Sequence, residues 1–351
     1  MPFARRTFVG ASIVSAAGLL AGRAMAADRF GLDRDWNGQP AMVMPDPAWE
    51  LHDPAFEGRL GNAMVERLWS GGRWTEGPVW MPASRCLLFS DIPNNRVMRW
   101  SADDGHISIY DAQSNNANGH TRDREGRLLS CEHETRRVTR REHDGSLTIL
   151  LDRFDGKPLN APNDVVVAAD GAIWFTDPGY GILGPYEGHK AAFELPTNVY
   201  RIAPDTGKAS VAAGDFGRPN GLAFSPDGKR LYISDTAGGG HPDKPCHVRA
   251  FDVAADGTLS GSSVLIDGKR DGVIDGFRVD SDGNLWCSWA GNAEQNSVRV
   301  FSSSGKPLAT LHLPETVSNL EFGGPKGNRL FITGGHSLYA TYVNAVAAPR
   351  G

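Results

Sequence analysis

The four cysteines, at 86, 131, 246 and 287, are too far apart to form a CxxC pair. Metal–thiolate chemistry therefore has little support. The histidines form neither a His-x-His nor a His-Glu-x-x-His pattern, so the usual zinc signatures are missing as well. A Gly-x-Ser-x-Gly elbow is absent too, which argues against a serine nucleophile. Basic residues are not in excess: 36 Lys and Arg face 41 Asp and Glu, a formal charge of -5. A mildly acidic chain has no electrostatic reason to seek nucleic acid or an anionic membrane. Cys86, Cys131 and Cys287 lie in apolar runs, where buried thiols are expected and a catalytic cysteine is not, although an exported protein could oxidise one pair.

The first residues carry their own message. Arg5-Arg6-Thr7-Phe8-Val9 is a twin-arginine pattern, Ile13–Ala21 is apolar and small, and Ala24-Met25-Ala26 fits a small-x-small cleavage site. The apolar run is too short to span a bilayer. Residues 1–26 therefore read as a twin-arginine signal, with the export machinery as a transient partner and the periplasm as destination. Cleavage would remove Arg5, Arg6 and Arg23 and no acid, moving the formal charge to about -8. Residues 27–61, rich in Pro, Asp and Trp, read as an irregular arm wrapping the outside of residues 62–351.

What the remainder has in abundance is turns: 42 glycines and 22 prolines, with no stretch holding a helical period. One unit recurs: a Gly- or Pro-containing turn, a large apolar pair, small or acidic residues, then a second strand. The pairs are Leu88-Phe89, Leu128-Leu129, Ile173-Trp174, Leu231-Tyr232, Leu285-Trp286 and Leu330-Phe331. They recur at roughly 40–60 residues, the spacing of propeller blades. A sandwich would lack the sixfold repeat, and a β-helix would repeat at a shorter period. The expected fold is all-β, a six-bladed propeller with a central metal site. Asn62–Ser70 is expected to pair beside Leu338–Val346 and close the ring. The Arg-rich stretch Arg136–Arg141 reads as a solvated strand edge.

In a propeller, residues that open the innermost strands converge near the axis. Glu76-Gly77-Pro78 opens the first blade, Pro162-Asn163-Asp164 the third, Pro219-Asn220-Gly221 the fourth and Asp275-Gly276 the fifth. Any one of these is more often a turn cap than a ligand. Four at equivalent positions favour a shared site. Two carboxylates and two amide oxygens make a hard donor set suited to Ca²⁺, or to Mg²⁺ and Mn²⁺ with more water.

These motifs also resemble the gluconolactonase and regucalcin (senescence marker protein) family of six-bladed propellers, its bacterial exported gluconolactonase branch in particular. The match covers about residues 62–345, through Glu76-Gly77-Pro78, Asn118-Gly119-His120-Thr121, Leu159–Asp164, Phe175–Pro178, Pro219–Asp227, Asp275-Gly276 and Asn319–Gly324. The resemblance implies a divalent cation in the channel, Ca²⁺ first and Mg²⁺, Mn²⁺ or Zn²⁺ as alternatives. It implies Glu76, Asn163, Asn220 and Asp275 as ligands, with Asp275 as general base. The chain departs from the regucalcin branch at Ala161, where that branch carries an arginine that holds sugar hydroxyls. Asn118, His120, His133 and Asp164 are the substitute candidates for substrate contact, His133 equally reading as a structural group.

The expected activity is metal-dependent hydrolysis of a sugar lactone, glucono-1,5-lactone or a related aldonolactone. Two rivals remain: a broader esterase or organophosphate-type lactonase, whose more apolar pocket Trp174, Tyr180 and Trp289 would allow, and a non-catalytic, metal-stabilised binding propeller.

Overall fold

The computed structural model describes residues 29–36, 44–239, 241, 243–268, 271–292 and 294–349. Six antiparallel sheets, five of four strands and one of five, are arranged about an axis. The first blade runs Thr75–Met81, Cys86–Asp91, Arg96–Ser101, Ile107–Asp111; the second starts at Ala117–Arg122, the third at Val165–Val167, the fourth at Pro219–Phe224, the fifth at Phe277–Val279 and the sixth at Val317–Gly323. All six apolar pairs read from the sequence lie on the second strand of their blade, where both faces meet neighbouring sheets. Leu87, Phe89, Leu129, Trp174, Leu231, Trp286 and Phe331 are buried there. Burying a large apolar side chain contributes about 1.5–3 kcal/mol, so these rows carry much of the blade-to-blade adhesion.

The sixth blade takes its outer strand from the other end of the chain. Glu66–Ser70 pairs with Ser337–Tyr342, with Glu66 opposite Ala340 and Ser70 opposite Ser337. The ring thus closes without an open edge at the point where the chain begins and ends.

The arm is more ordered than its composition suggests. Trp49–Leu51 adds a fifth strand to the fifth blade, pairing with Pro307–His312. Trp49 meets Trp286 edge-on at 6.3 Å, and Phe56 and Leu60 are buried in the same cluster. Among the described residues no helix is long and apolar enough to cross a membrane. The four cysteines are buried and unpaired. The twin-arginine segment lies outside the described residues.

The arginine stretch differs from a solvated edge. Arg137 pairs with Glu132 at 2.8 Å and Arg141 with Asp111 at 2.7 Å. Arg136 donates to the carbonyls of Leu159 and Asn160, at 2.6 and 3.0 Å. It therefore ties the second blade to the loop that delivers Asn163.

Candidate active site

The site is built by a device repeated in several blades. The second strand of the first, third and fourth blades ends in an apolar residue, a hydroxyl and an aspartate: Phe89-Ser90-Asp91, Phe175-Thr176-Asp177, Ile233-Ser234-Asp235. The hydroxyl donates to a main-chain carbonyl on the next blade. Ser90 reaches Asn118 O at 2.8 Å, Thr176 reaches Asn220 O at 2.8 Å and Ser234 reaches Asp275 O at 3.1 Å. The aspartate instead gathers the loop before its own inner strand. Asp177 accepts from Asn160 N and Ala161 N at 2.8 and 2.7 Å, and Asp235 from Gly217 N and Arg218 N at 2.7 and 2.9 Å. Each buried carboxylate thereby satisfies backbone donors that would otherwise be orphaned.

Glycine follows two of these positions because the inner strands touch. Gly119 N donates to Asn163 O at 2.8 Å, and Gly221 N to Asp275 O at 3.2 Å. A Cβ on either glycine would collide with that same carbonyl. The close approach is what brings successive site residues to one level on the axis.

At that level Glu76, Asn118, Asn163, Asn220 and Asp275, one from each of five consecutive blades, open on one cavity of about 750 Å³. Tyr180 and Glu187, from the long connection between the second and third strands of the third blade, line it from above. The Glu76 carboxyl is pushed well above the usual range, by burial first and then by the charges of Asp275 and Asp164. Asp275 is raised by burial, by Glu187 and by Asp164. Asn319 Nδ2 donates to Glu76 Oε2 at 3.0 Å. The Asn118 Oδ1 is buried without a hydrogen-bond partner. Two buried carboxyls with raised pKa values beside the amides of Asn163 and Asn220 make an all-oxygen donor set whose chemistry would fit a hard cation. Among the described residues no group of three or more His, Cys, Asp and Glu is placed to hold a metal ion; half of the expected ligand set is asparagine.

The remaining sequence candidates lie behind this surface. His120 is fully buried between Ser90 Oγ and Ser130 Oγ, each at 2.8 Å, and burial lowers its pKa to about 4. A neutral ring with Nε2–H facing Ser90 completes a chain from Ser130 to the Asn118 carbonyl. His133 is also fully buried, its pKa lowered by burial to about 4. Its Nε2 lies 3.3 Å from Asn118 Nδ2 and its Nδ1 3.8 Å from Glu187 Oε2. Asp164 is 1% exposed, its Oδ1 accepting from Val165 N at 2.9 Å and its Oδ2 3.8 Å from Arg278. Asn118 alone of these four lines the cavity. Glu187 was not legible in the sequence: it stands in the long connection 178–197, outside the repeated strand pattern.

Residues 74–336 match the family model described as the SMP-30/Gluconolactonase/LRE-like region. A gluconolactonase of Zymomonas mobilis is 28% identical over 78% of this chain and 80% of its own. A gluconolactonase structure from Xanthomonas campestris is 39% identical with a TM-score of 0.77, covering 88% of this chain and 98% of its own. A second solved chain, described as a putative gluconolactonase, is 37% identical with a TM-score of 0.79, covering 86% of this chain and 99% of its own. With the propeller, the axial cavity and this match in agreement, the chain belongs to the SMP-30/gluconolactonase/regucalcin family.

Proposed function

We propose that this protein is a lactonase that opens aldonolactones, with glucono-1,5-lactone the leading substrate, and that it works with a divalent cation, Ca²⁺ foremost. The observation that carries the reading is the convergence of five oxygen-bearing side chains from five blades on one axial cavity. The relatives described as gluconolactonases support the substrate class.

Glu76, Asn163, Asn220 and Asp275 would hold the cation. When bound, such an ion polarises a lactone carbonyl and stabilises the negative charge of the tetrahedral intermediate. Asp275 takes the proton of the attacking water and returns it to the departing ring oxygen. Its main chain is fixed from two sides, N–H to Ser288 Oγ at 3.2 Å and C=O to Ser234 Oγ at 3.1 Å, so the carboxyl meets the water in one orientation. Asn118, held by His133, offers its amide to a hydroxyl of the lactone. Glu187 and Tyr180 close the cavity over the ring and limit bulk water.

The test is base uptake in a pH-stat with glucono-1,5-lactone, using metal-stripped protein with Ca²⁺, Mg²⁺, Mn²⁺ or Zn²⁺ restored separately. The expected result is turnover that returns with metal and disappears in Asp275→Asn. Full turnover without metal would sink the metal dependence. Export to the periplasm by the twin-arginine route is a second element of the proposal. An Arg5→Lys/Arg6→Lys double variant should then stay in the cytoplasm, and normal export of that variant would remove it.

A further inference from the structure

The axis has a second mouth. At the far ends of the inner strands, Arg122, Val166, Phe224, Val253 and Arg278 help to line a separate cavity of about 550 Å³. That is the size of small-molecule sites, commonly about 300–1,000 Å³. None of the five side chains assigned above to the cation or to the lactone lines it. Arg278 separates the two ends, its Nε 2.9 Å from Glu321 Oε2 and its Nη1 3.8 Å from Asp164 Oδ2.

The charges of this lower mouth are unevenly satisfied. Its acids already have partners: Asp123 binds Arg127 at 2.7 Å, Asp170 binds Arg201 at 3.1 Å, and Asp227 accepts from Ser225 Oγ at 2.6 Å and Lys229 N at 3.1 Å. Glu321 is held by Arg278 as described. Among the described residues, two cations of this lining have no carboxylate partner. Arg124 donates to the Ala169 carbonyl. Arg122 is half-buried, its Nε has no hydrogen-bond partner, and among the described residues no carboxylate lies in ion-pair range of it. A partly buried guanidinium without a counter-charge is costly, and its planar fork matches a carboxylate. Val166, Phe224 and Val253 supply apolar lining to the same cavity.

We propose that this lower mouth binds a small organic anion, a carboxylate carried on a flat or branched apolar body, with Arg122 as the anchoring cation. The carboxylate pairs with the Arg122 guanidinium, and the apolar body lies along Val166, Phe224 and Val253. The site is independent of lactone hydrolysis at the other end.

Calorimetric titration of the purified protein with benzoate, benzamide and inorganic phosphate tests this. Benzoate should bind with a Kd between about 10 µM and 1 mM, and benzamide and phosphate at least tenfold more weakly. Arg122→Gln and the cavity-filling Ala255→Trp should each weaken benzoate at least tenfold while lactone hydrolysis stays unchanged and the melting temperature does not fall, Arg122→Gln removing a guanidinium that is costly when unpaired. Having one variant at the end of an inner strand and one in a turn of another blade protects the test if one fails to fold. Absence of benzoate binding, equal binding of benzamide, stronger binding of phosphate, undiminished binding in Arg122→Gln, or displacement of benzoate by glucono-1,5-lactone would each overturn the proposal.

Discussion

Asn118 Nδ2 sits 3.3 Å from His133 Nε2, and that contact decides what Asn118 can do. A neutral His133 with its proton on Nδ1 accepts from the amide nitrogen, leaving Nδ1–H facing the Glu187 carboxylate at 3.8 Å. The amide of Asn118 is therefore unable to flip freely, and its oxygen is committed to whatever occupies the cavity. His133→Leu keeps the volume filled and removes the acceptor. The expected outcome is a roughly tenfold fall in kcat/KM, about 1.4 kcal/mol of transition-state stabilisation, with circular dichroism unchanged. Unchanged kinetics would show that the amide needs no support.

Asp275 stands at the point where function and stability oppose each other. Burial and the carboxyls of Glu187 and Asp164 all disfavour its charge. In chelator-treated protein, Asp275→Asn should therefore be more stable than the wild type, by about 1–2 kcal/mol, while hydrolysis is lost. With Ca²⁺ added the order should reverse, because the wild type gains more from the ion. Thermal melts of both proteins with and without Ca²⁺ read this directly. A wild type that is the more stable of the two in chelator would contradict it.

The blades and their order were legible because each apolar pair must face two neighbouring sheets, a demand that leaves a local pattern in sequence. That Glu76, Asn163, Asn220 and Asp275 meet at one cavity was legible for a related reason, since each opens an inner strand beside a Gly, Pro or Asp. The roles of Ser90, Thr176 and Ser234 were not, because a hydroxyl that reaches across to the next blade resembles any strand serine or threonine until the ring is closed. His120 and His133 looked like contact residues from their neighbours in sequence. Only burial places them behind the cavity wall, with Asn118 in front. Trp49–Leu51 was hidden by its composition, for a strand that borrows its partner from the fifth blade needs little pattern of its own.

Stability should fall on acidification through a window set by the buried histidines. His120 has a folded pKa of about 4 because burial disfavours its charge, against about 6.5 in an unfolded chain. Between those values the unfolded state holds a proton that the folded state does not. The stability present above pH 6.5 is thus lost as the pH falls towards 4, by about 3 kcal/mol for this one group. His133 acts in the same direction. His120→Gln should flatten the fall in urea midpoint between pH 7 and pH 4.5, whatever its effect on stability at pH 7. A slope equal to that of the wild type would assign the acid sensitivity elsewhere.

Arg278 reaches the carboxyls packed on the axis, at 2.9 Å from Glu321 and 3.8 Å from Asp164. Asp164 Oδ2 has no hydrogen-bond partner, so the guanidinium is its main compensation. Arg278→Met preserves much of the side-chain length and apolar contact while removing the charge. Both carboxyls then remain buried, and the expected cost is about 3–5 kcal/mol, the penalty for breaking a buried ion pair from one side. Glu321→Gln in the same chain removes one of the stranded charges and should recover a part of that loss, a non-additivity that double-mutant analysis of urea unfolding measures. Arg278→Met within about 0.5 kcal/mol of the wild type would mean that the carboxyls carry protons in the native state, and that the axis is held by hydrogen bonds alone.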